Sequence, residues 1–325
     1  MSHLTKFFFF VTLFLTAVGS GAAEATNSPT NLSAPAVANE SGQIERTGRG
    51  GFPYPPKMSG ARVETYKAVD DTALKIYIFA PAAATNAPAI IFFFGGGWAG
   101  GSPQQFEDQC RHFAARGMVA VTVDYRVKNR HQVKPVQCVA DARSAMRWVR
   151  EHAGELGIDP DRMAAAGGSA GGHLAACTAL VSEFDEPGEN QRISAVPNAL
   201  VLFNPALVLA PLEGFKLEGF GTQVSEKNLG AKAASISPAH HVTSNAPPTI
   251  IFHGRRDTTV PFASAAAFTA RMKATGNRCE LIAYENQNHG FFNREPFKTE
   301  TMLAADKFLT SLGWLKTPPA STAKP

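Results

Sequence analysis

Cysteine is scarce in this sequence: four residues in 325, at 110, 138, 177 and 279, too few to staple a chain of this length into a disulfide scaffold. None of their spacings approaches C-x-x-C, so a zinc site has no ligand pattern to build on, and Cys177 reads as a small buried apolar residue. Charge of one sign is missing too. With 31 basic and 27 acidic residues interspersed, the formal net charge is +4, which leaves neither a nucleic-acid footprint nor a polybasic membrane surface. Beyond the N-terminus no apolar run reaches the roughly 20 residues a membrane-spanning helix needs. No blade-length repeat appears, which argues against a propeller, and no P-loop Lys-Ser/Thr is present to cradle a phosphate.

What is present begins with a leader. Lys6 precedes the apolar run Phe7 to Val18, and the small residues Gly19 to Ala23 follow. This is signal-peptide architecture with cleavage expected near Ala22 or Ala23, no lipobox cysteine, a secreted or periplasmic destination, and no stable membrane insertion after cleavage. Residues 24–60 are rich in Ala, Asn, Ser, Thr, Pro and Gly, with almost no large apolar residue before Phe52, and read as a flexible linker. A single domain is expected over 61–316 and a disordered tail over 317–325. Export makes disulfides chemically possible, and the pairing state of the four cysteines is open at this stage.

Within the domain, Tyr66–Val69 and Leu74–Ala80 alternate around Asp70-Asp71 as an antiparallel hairpin should. Ala89–Phe94 is apolar throughout, as a strand buried on both faces should be. Met118–Val123, Ala199–Phe203, Thr249–Phe252 and Cys279–Tyr284 read as further strands. Helices are expected over Gln104–Arg116, Pro135–Ala153, Ala263–Thr275 and Thr299–Leu312, while Pro205–Val242 looks irregular. Strands alternating with helices predict an α/β fold with a doubly wound, mostly parallel sheet and an antiparallel N-terminal hairpin. Sites in such sheets lie at the carboxyl ends of strands.

The chemistry centres on Gly167-Gly168-Ser169-Ala170-Gly171, a G-x-S-x-G string between an apolar run and a helix-forming sequence. Small flanking residues let a serine sit in a strained turn with its hydroxyl lifted off the sheet. A serine hydroxyl is a poor nucleophile unless a histidine takes its proton and a carboxylate orients that histidine. In the chain order Ser, acid, His, the candidate acid is Asp257, in the turn after the Thr249 strand, and His289 is the one histidine that follows it. Glu285 competes as the acid, but it lies so close to His289 that the chain would have to reverse tightly. Backbone N–H groups for an oxyanion are offered by Gly95-Gly96-Gly97 and by Ala170.

The Gly-Gly-Gly-Trp loop, Gly-Gly-Ser-Ala-Gly-Gly-His-Leu-Ala, His-Gly-x-x-Asp-x-x-Val-Pro and Asn-His-Gly-Phe together resemble the α/β-hydrolase fold. More narrowly they resemble the acetyl esterase/lipase group, which includes hormone-sensitive-lipase-like esterases and feruloyl- and acetylxylan-esterase-like enzymes. The likeness runs from about Val63 to Leu315. It implies Ser169 as nucleophile, Asp257 as acid, His289 as base, Gly96, Gly97 and Ala170 as oxyanion donors, little or no cap, and no metal or cofactor. In one respect the sequence departs from the family: its oxyanion motif usually opens with histidine, and here Phe94 stands there.

Other residues carry less. His173 reads as a locally bonded packing residue, and His240-His241 lacks the carboxylate pattern of a metal pair. Trp98 and Phe292 flank the expected site and are candidates to line a substrate pocket. The reading is a secreted serine carboxylesterase acting on short or aromatic acyl esters, such as acetyl or feruloyl groups on carbohydrate. Its partners are then small-molecule or polysaccharide esters, with no nucleic acid and with oligomeric state left open. The rivals are a prolyl-oligopeptidase-like peptidase, which lacks its usual propeller here, and a catalytically silent esterase-like binding protein, which would not need all three triad residues.

Overall fold

The run Ala87–Phe93 is buried along its whole length, and the pleat divides it: Ala89, Ile91 and Phe93 enter one apolar cluster, Ile90 and Phe92 the other. A strand with two apolar faces must be covered by helices on both sides, and it is. The computed structural model describes residues 51–213, 215, 216 and 224–317, together with the backbone strands Val37–Ala38 and Ile44–Thr47. The leader at residues 1–23, most of the linker stretch and the tail from 318 lie outside the described residues.

The main sheet has eight strands: β1 (Arg62–Val69), β2 (Thr72–Phe79), β3 (Ala87–Phe93), β4 (Val119–Val123), β5 (Ile158–Gly168), β6 (Ala199–Phe203), β7 (Thr249–Gly254) and β8 (Cys279–Tyr284). Their order is β8-β7-β6-β5-β3-β4-β2-β1. The β1–β2 and β2–β4 pairs are antiparallel and all others parallel, so the hairpin occupies one edge as expected. The chain reverses direction across the sheet between β3 and β5, which opens a crevice at the carboxyl ends of those central strands.

Helices α2 (Pro135–Glu151), α3 (Ala170–Leu180) and α4 (Phe262–Ala274) cover one face, through Val139, Ala142, Met146 and Val149 of α2 and Phe268 and Met272 of α4. On the other face lie α1 (Glu107–Ala115) and α5 (Phe297–Ser311), which insert Cys110, Phe113, Phe308 and Leu309. Each such large apolar side chain contributes about 1.5–3 kcal/mol by leaving water.

Two details differ from the sequence reading. The first turn of the expected Gln104 helix is a separate 3-10 turn, Pro103–Phe106, capped by Ser102 Oγ. Of the stretch read as linker, residues 51–60 pack on the domain: Pro53–Tyr54 pairs with Ile44–Thr47, Tyr54 Oη donates to Asp124 Oδ2 at 2.7 Å, and Arg130 lies 3.7 Å over the Tyr54 ring. Too few aliphatic residues mark that stretch for its one anchoring tyrosine to stand out. All four cysteines are free and buried.

Candidate active site

Ser169 sits between the last residue of β5 and the first of α3, with φ 55° and ψ −119°. This left-handed conformation costs about 1–3 kcal/mol for a non-glycine residue and persists only where neighbours enforce it. The Ser169 N–H donates to Phe203 O of β6 at 2.9 Å, and its carbonyl accepts from His173 N at 3.0 Å, the first bond of α3. Gly171 makes the turn possible by close approach, since a Cβ there would lie 1.9 Å from Phe93 O.

His289 stands in the loop after β8. Its Nε2 is 2.9 Å from Ser169 Oγ and its Nδ1 is 2.7 Å from Asp257 Oδ2. With Nδ1–H donated to the carboxylate, Nε2 is left to accept the serine proton. Asp257, in the turn after β7, receives the N–H groups of Thr259 at 2.9 Å and Val260 at 2.8 Å on Oδ1. Burial works against its negative charge, but hydrogen bonds from His253 and His289, with the charge of His289 and the Val260 amide, hold it well below the usual carboxylate range. Asp257 is therefore an anion through the whole neutral range. Glu285 points away from the site, exposed and paired to Arg255 at 2.5 Å.

The loop after β3 passes beside the serine: a Cβ on Gly95 would sit 3.4 Å from Ser169 Cβ. Gly96 and Gly97 take φ values of 129° and 63°, conformations that favour glycine, and among the described residues no acceptor engages the amides of Gly96, Gly97 or Ala170. Three amides without acceptors, two in this loop and one next to Ser169 in the chain, suit a developing oxyanion. Phe94, where histidine is usual, stacks on Tyr125 with ring centroids 4.1 Å apart, and Tyr125 Oη donates to the Phe94 carbonyl at 2.7 Å. Arg130 donates to Gly101 O at 2.8 Å and closes the far end of the loop.

Several supporting residues escaped the sequence reading. Gln105 Oε1 accepts from Gly95 N at 2.7 Å while its Nε2 donates to Asn293 Oδ1 at 3.1 Å, and Asn293 Nδ2 donates to Gly290 O, so one amide ties the glycine loop to the His289 loop. Asn204, buried just after β6, accepts from Gly290 N at 3.0 Å. His253 approaches Asp257 from behind: its Nε2 donates to Val260 O at 2.8 Å and lies 3.3 Å from Asp257 Oδ2. A strand-end polar residue in a doubly wound sheet was the available signal for Asn204 and His253. Gln105 carried none.

Phe292 does not line a pocket. It is 1% exposed, stacked on Phe106 and Phe203 below the elbow, where a Cβ on Gly168 would meet its Cζ at 2.5 Å. The aromatic that follows the His289 loop turned inward because β6 and the 3-10 turn offered an apolar hollow. Trp98 is mostly buried but borders a groove with Gly97. His240 and His241 bond separately to Pro211 O and Ala234 O, with no shared ligand position. Among the described residues no group of three or more His, Cys, Asp and Glu is arranged to hold a metal.

His173 does more than pack locally. Its Nδ1 accepts from Trp98 Nε1 at 3.2 Å and its Nε2 donates to Ile236 O at 2.7 Å, so a neutral ring joins the glycine loop to the irregular segment. That segment, where described, holds short helical turns such as Glu226–Leu229 and Pro238–His241 in place of a cap domain. Burial lowers the His173 pKa from 6.5 to about 4, against the opposing bond to Ile236. The unfolded chain takes up this proton near 6.5 and the folded one only near 4, so stability is complete above 6.5 and falls as pH drops through that window. The loss is about 1.4 kcal/mol per pH unit, on the order of 3 kcal/mol in all. Thermal melts of wild type and His173→Gln between pH 7 and 4 check this: the variant, though weaker at pH 7, should lose markedly less on acidification. Parallel curves would remove His173 as the cause.

The sequence matches the BD-FAE family over residues 74–272 and the dienelactone hydrolase family over residues 230–318. Among solved structures it is similar to esterase 2 of the planctomycete Thermogutta terrifontis with propionate bound, at a TM-score of 0.77 and 49% identity, covering 82% of this chain and 99% of that one. The same esterase phosphorylated by paraoxon gives 0.76 and 48%, with 82% and 99% covered. Esterase LipC of Mycobacterium tuberculosis is 28% identical over 216 residues, 63% of this chain and 53% of its own. The chain spans about half the length of the curated relatives it matches.

Proposed function

Because the chain belongs to the BD-FAE family and has the α/β-hydrolase fold, we propose that it is a serine carboxylesterase whose working residues are Ser169, His289 and Asp257. The observation that carries this reading is the relay from Ser169 Oγ through His289 to Asp257, at 2.9 and 2.7 Å, set beside three unengaged amides. Ser169 Oγ attacks the ester carbonyl as its proton passes to His289 Nε2, and Asp257 stabilises the resulting imidazolium. The carbonyl oxygen gathers negative charge against the amides of Gly96, Gly97 and Ala170. Collapse of this intermediate breaks the ester C–O bond, and His289 returns the proton to the departing alcohol. Water then enters by the same route in reverse and releases the acid.

The substrates are short or aromatic acyl esters, acetyl or feruloyl groups on carbohydrate among them. Support comes from the propionate held by the Thermogutta esterase and from the short helical turns, Glu226–Leu229 and Pro238–His241, that the described part of the irregular segment holds in place of a cap domain. The Lys6, Phe7–Val18 and Gly19–Ala23 pattern supports export of the chain and action outside the cytoplasm. The test is hydrolysis of p-nitrophenyl acetate, butyrate and octanoate by the chain from Glu24, with paraoxon labelling alongside. Acetate and butyrate are expected to outpace octanoate by about tenfold or more, the range a few methylenes command in a bounded pocket. Paraoxon should label the Ser169 peptide and stop turnover. A folded protein that turns over none of the three, or that paraoxon labels elsewhere, would contradict the proposal.

A further inference from the structure

The groove that opens at Gly97 has a volume of about 660 Å³, within the range of small-ligand sites, and is lined by Gly97, Trp98 and three exposed lysines, Lys128, Lys134 and Lys227. No Asp or Glu lines it, and among the described residues none of the three lysines is in an ion pair. On the other side of the site the charges are paired, Glu107 with Arg111 at 2.6 Å among them. A smaller cavity of about 220 Å³ beside Gln105 and Asn293 is bordered by Glu107 and Asp108, and its one lysine, Lys298, is paired to Asp108 at 2.5 Å.

The lysines are also fixed relative to the chemistry. Lys128 N donates to Trp98 O and Asn129 N to Ala99 O, both at 3.0 Å, so the segment carrying Lys128 is hydrogen-bonded to the glycine loop itself. Gln132 then turns the chain in a left-handed conformation, φ 56°, toward Lys134 at the start of α2. Three uncompensated cations around one concave surface raise the local concentration of anions and draw them in from a distance, an effect that salt screens.

We infer that this groove is an anion-accepting subsite and that the ester hydrolysed bears a carboxylate or sulfate away from the scissile bond, as an acylated acidic glycan does. The inference rests on the esterase reading for its scissile bond, but its charge preference stands on the lysines alone. A neutral remainder would gain nothing from them, whereas an acidic one gains at the Gly97 end and meets only already paired charges at the Glu107–Asp108 end. The substrate is thereby given one direction across the site.

The test compares three acetylated oligosaccharides of equal length: neutral, uronate-containing and sulfated. At about 20 mM salt, kcat/KM on at least one acidic substrate should exceed that on the neutral one by about tenfold, and the advantage should shrink to less than about threefold near 500 mM. Lys128→Glu/Lys134→Glu/Lys227→Glu, checked for folding by its melt, should remove or invert the ratio. Preference for the uronate or the sulfate identifies which anion is used, and equal gains on both mean that charge alone is read. Turnover of p-nitrophenyl acetate with a flat, salt-independent ratio overturns the subsite and leaves the esterase standing. If no ester is turned over, calorimetric binding of the unacylated acidic oligosaccharides still decides: salt-sensitive binding lost in the triple variant supports the subsite, and absence of binding overturns it.

Discussion

Ser169→Ala and His289→Ala should each lower kcat on p-nitrophenyl acetate by about 10⁵–10⁶, and the double variant should be no slower than either alone. The two act as one device. With the hydroxyl gone, the imidazole at 2.9 Å has no proton to take, and without the imidazole the hydroxyl keeps its proton and stays a poor nucleophile. The rate that remains, about 10³–10⁴ above water, belongs to the amides of Gly96, Gly97 and Ala170. Asp257→Asn should cost less, about 10⁴, because it leaves the groups in place and spoils the tautomer. Single-turnover kinetics on purified variants read these values, with contaminating esterase titrated out by paraoxon. A Ser169→Ala enzyme within a hundredfold of wild type would mean that another nucleophile does the work.

Gly171→Ala should be the most damaging single methyl group in the molecule. The added Cβ would lie 1.9 Å from Phe93 O and 2.4 Å from Phe94 O. Both neighbours are backbone at the end of β3, so neither can swing aside as a long side chain would. Either α3 lifts from the sheet or β3 is displaced, and both break the register that sets the glycine loop against Ser169. We expect a loss above about 4 kcal/mol, the range reserved for steric failure in a packed core, read as a collapsed denaturant midpoint or insoluble protein. Gly117→Ala is the control. That glycine has φ 92° but open space around its Cβ direction, so it should lose only about 1–2 kcal/mol of backbone strain. Equal midpoints for the two variants would refute the close-packing account.

Ser169, Asp257 and His289 were legible because each stands in a short string whose residue types are dictated locally: a tight turn around the serine, a strand-end aspartate, a loop histidine after the last strand. The buried strands were legible because burial on two faces leaves no room for polar residues, as in Ala87–Phe93. What escaped depends on partners distant in sequence. Gln105 meets Asn293 across 188 positions and Asn204 meets Gly290 across 86, and no pattern around either residue announces the other. Phe292 was misread for the same reason. An aromatic beside a catalytic loop looks the same in sequence whether it faces the substrate or, as here, fills a hollow between Phe106 and Phe203.

The stacking of Phe94 on Tyr125 has a consequence for how the glycine loop meets acid. An imidazole at position 94 would bring its own ionisation into the shape of the glycine loop. A phenyl face has no proton to gain, and burial holds the Tyr125 phenol far above its ordinary pKa, which keeps it a donor to the Phe94 carbonyl at every workable pH. The loop is thus clamped by contacts indifferent to acidity. On mild acidification the scaffold behind the loop therefore keeps its shape, down to the point near pH 4 where the buried His173 takes up its proton.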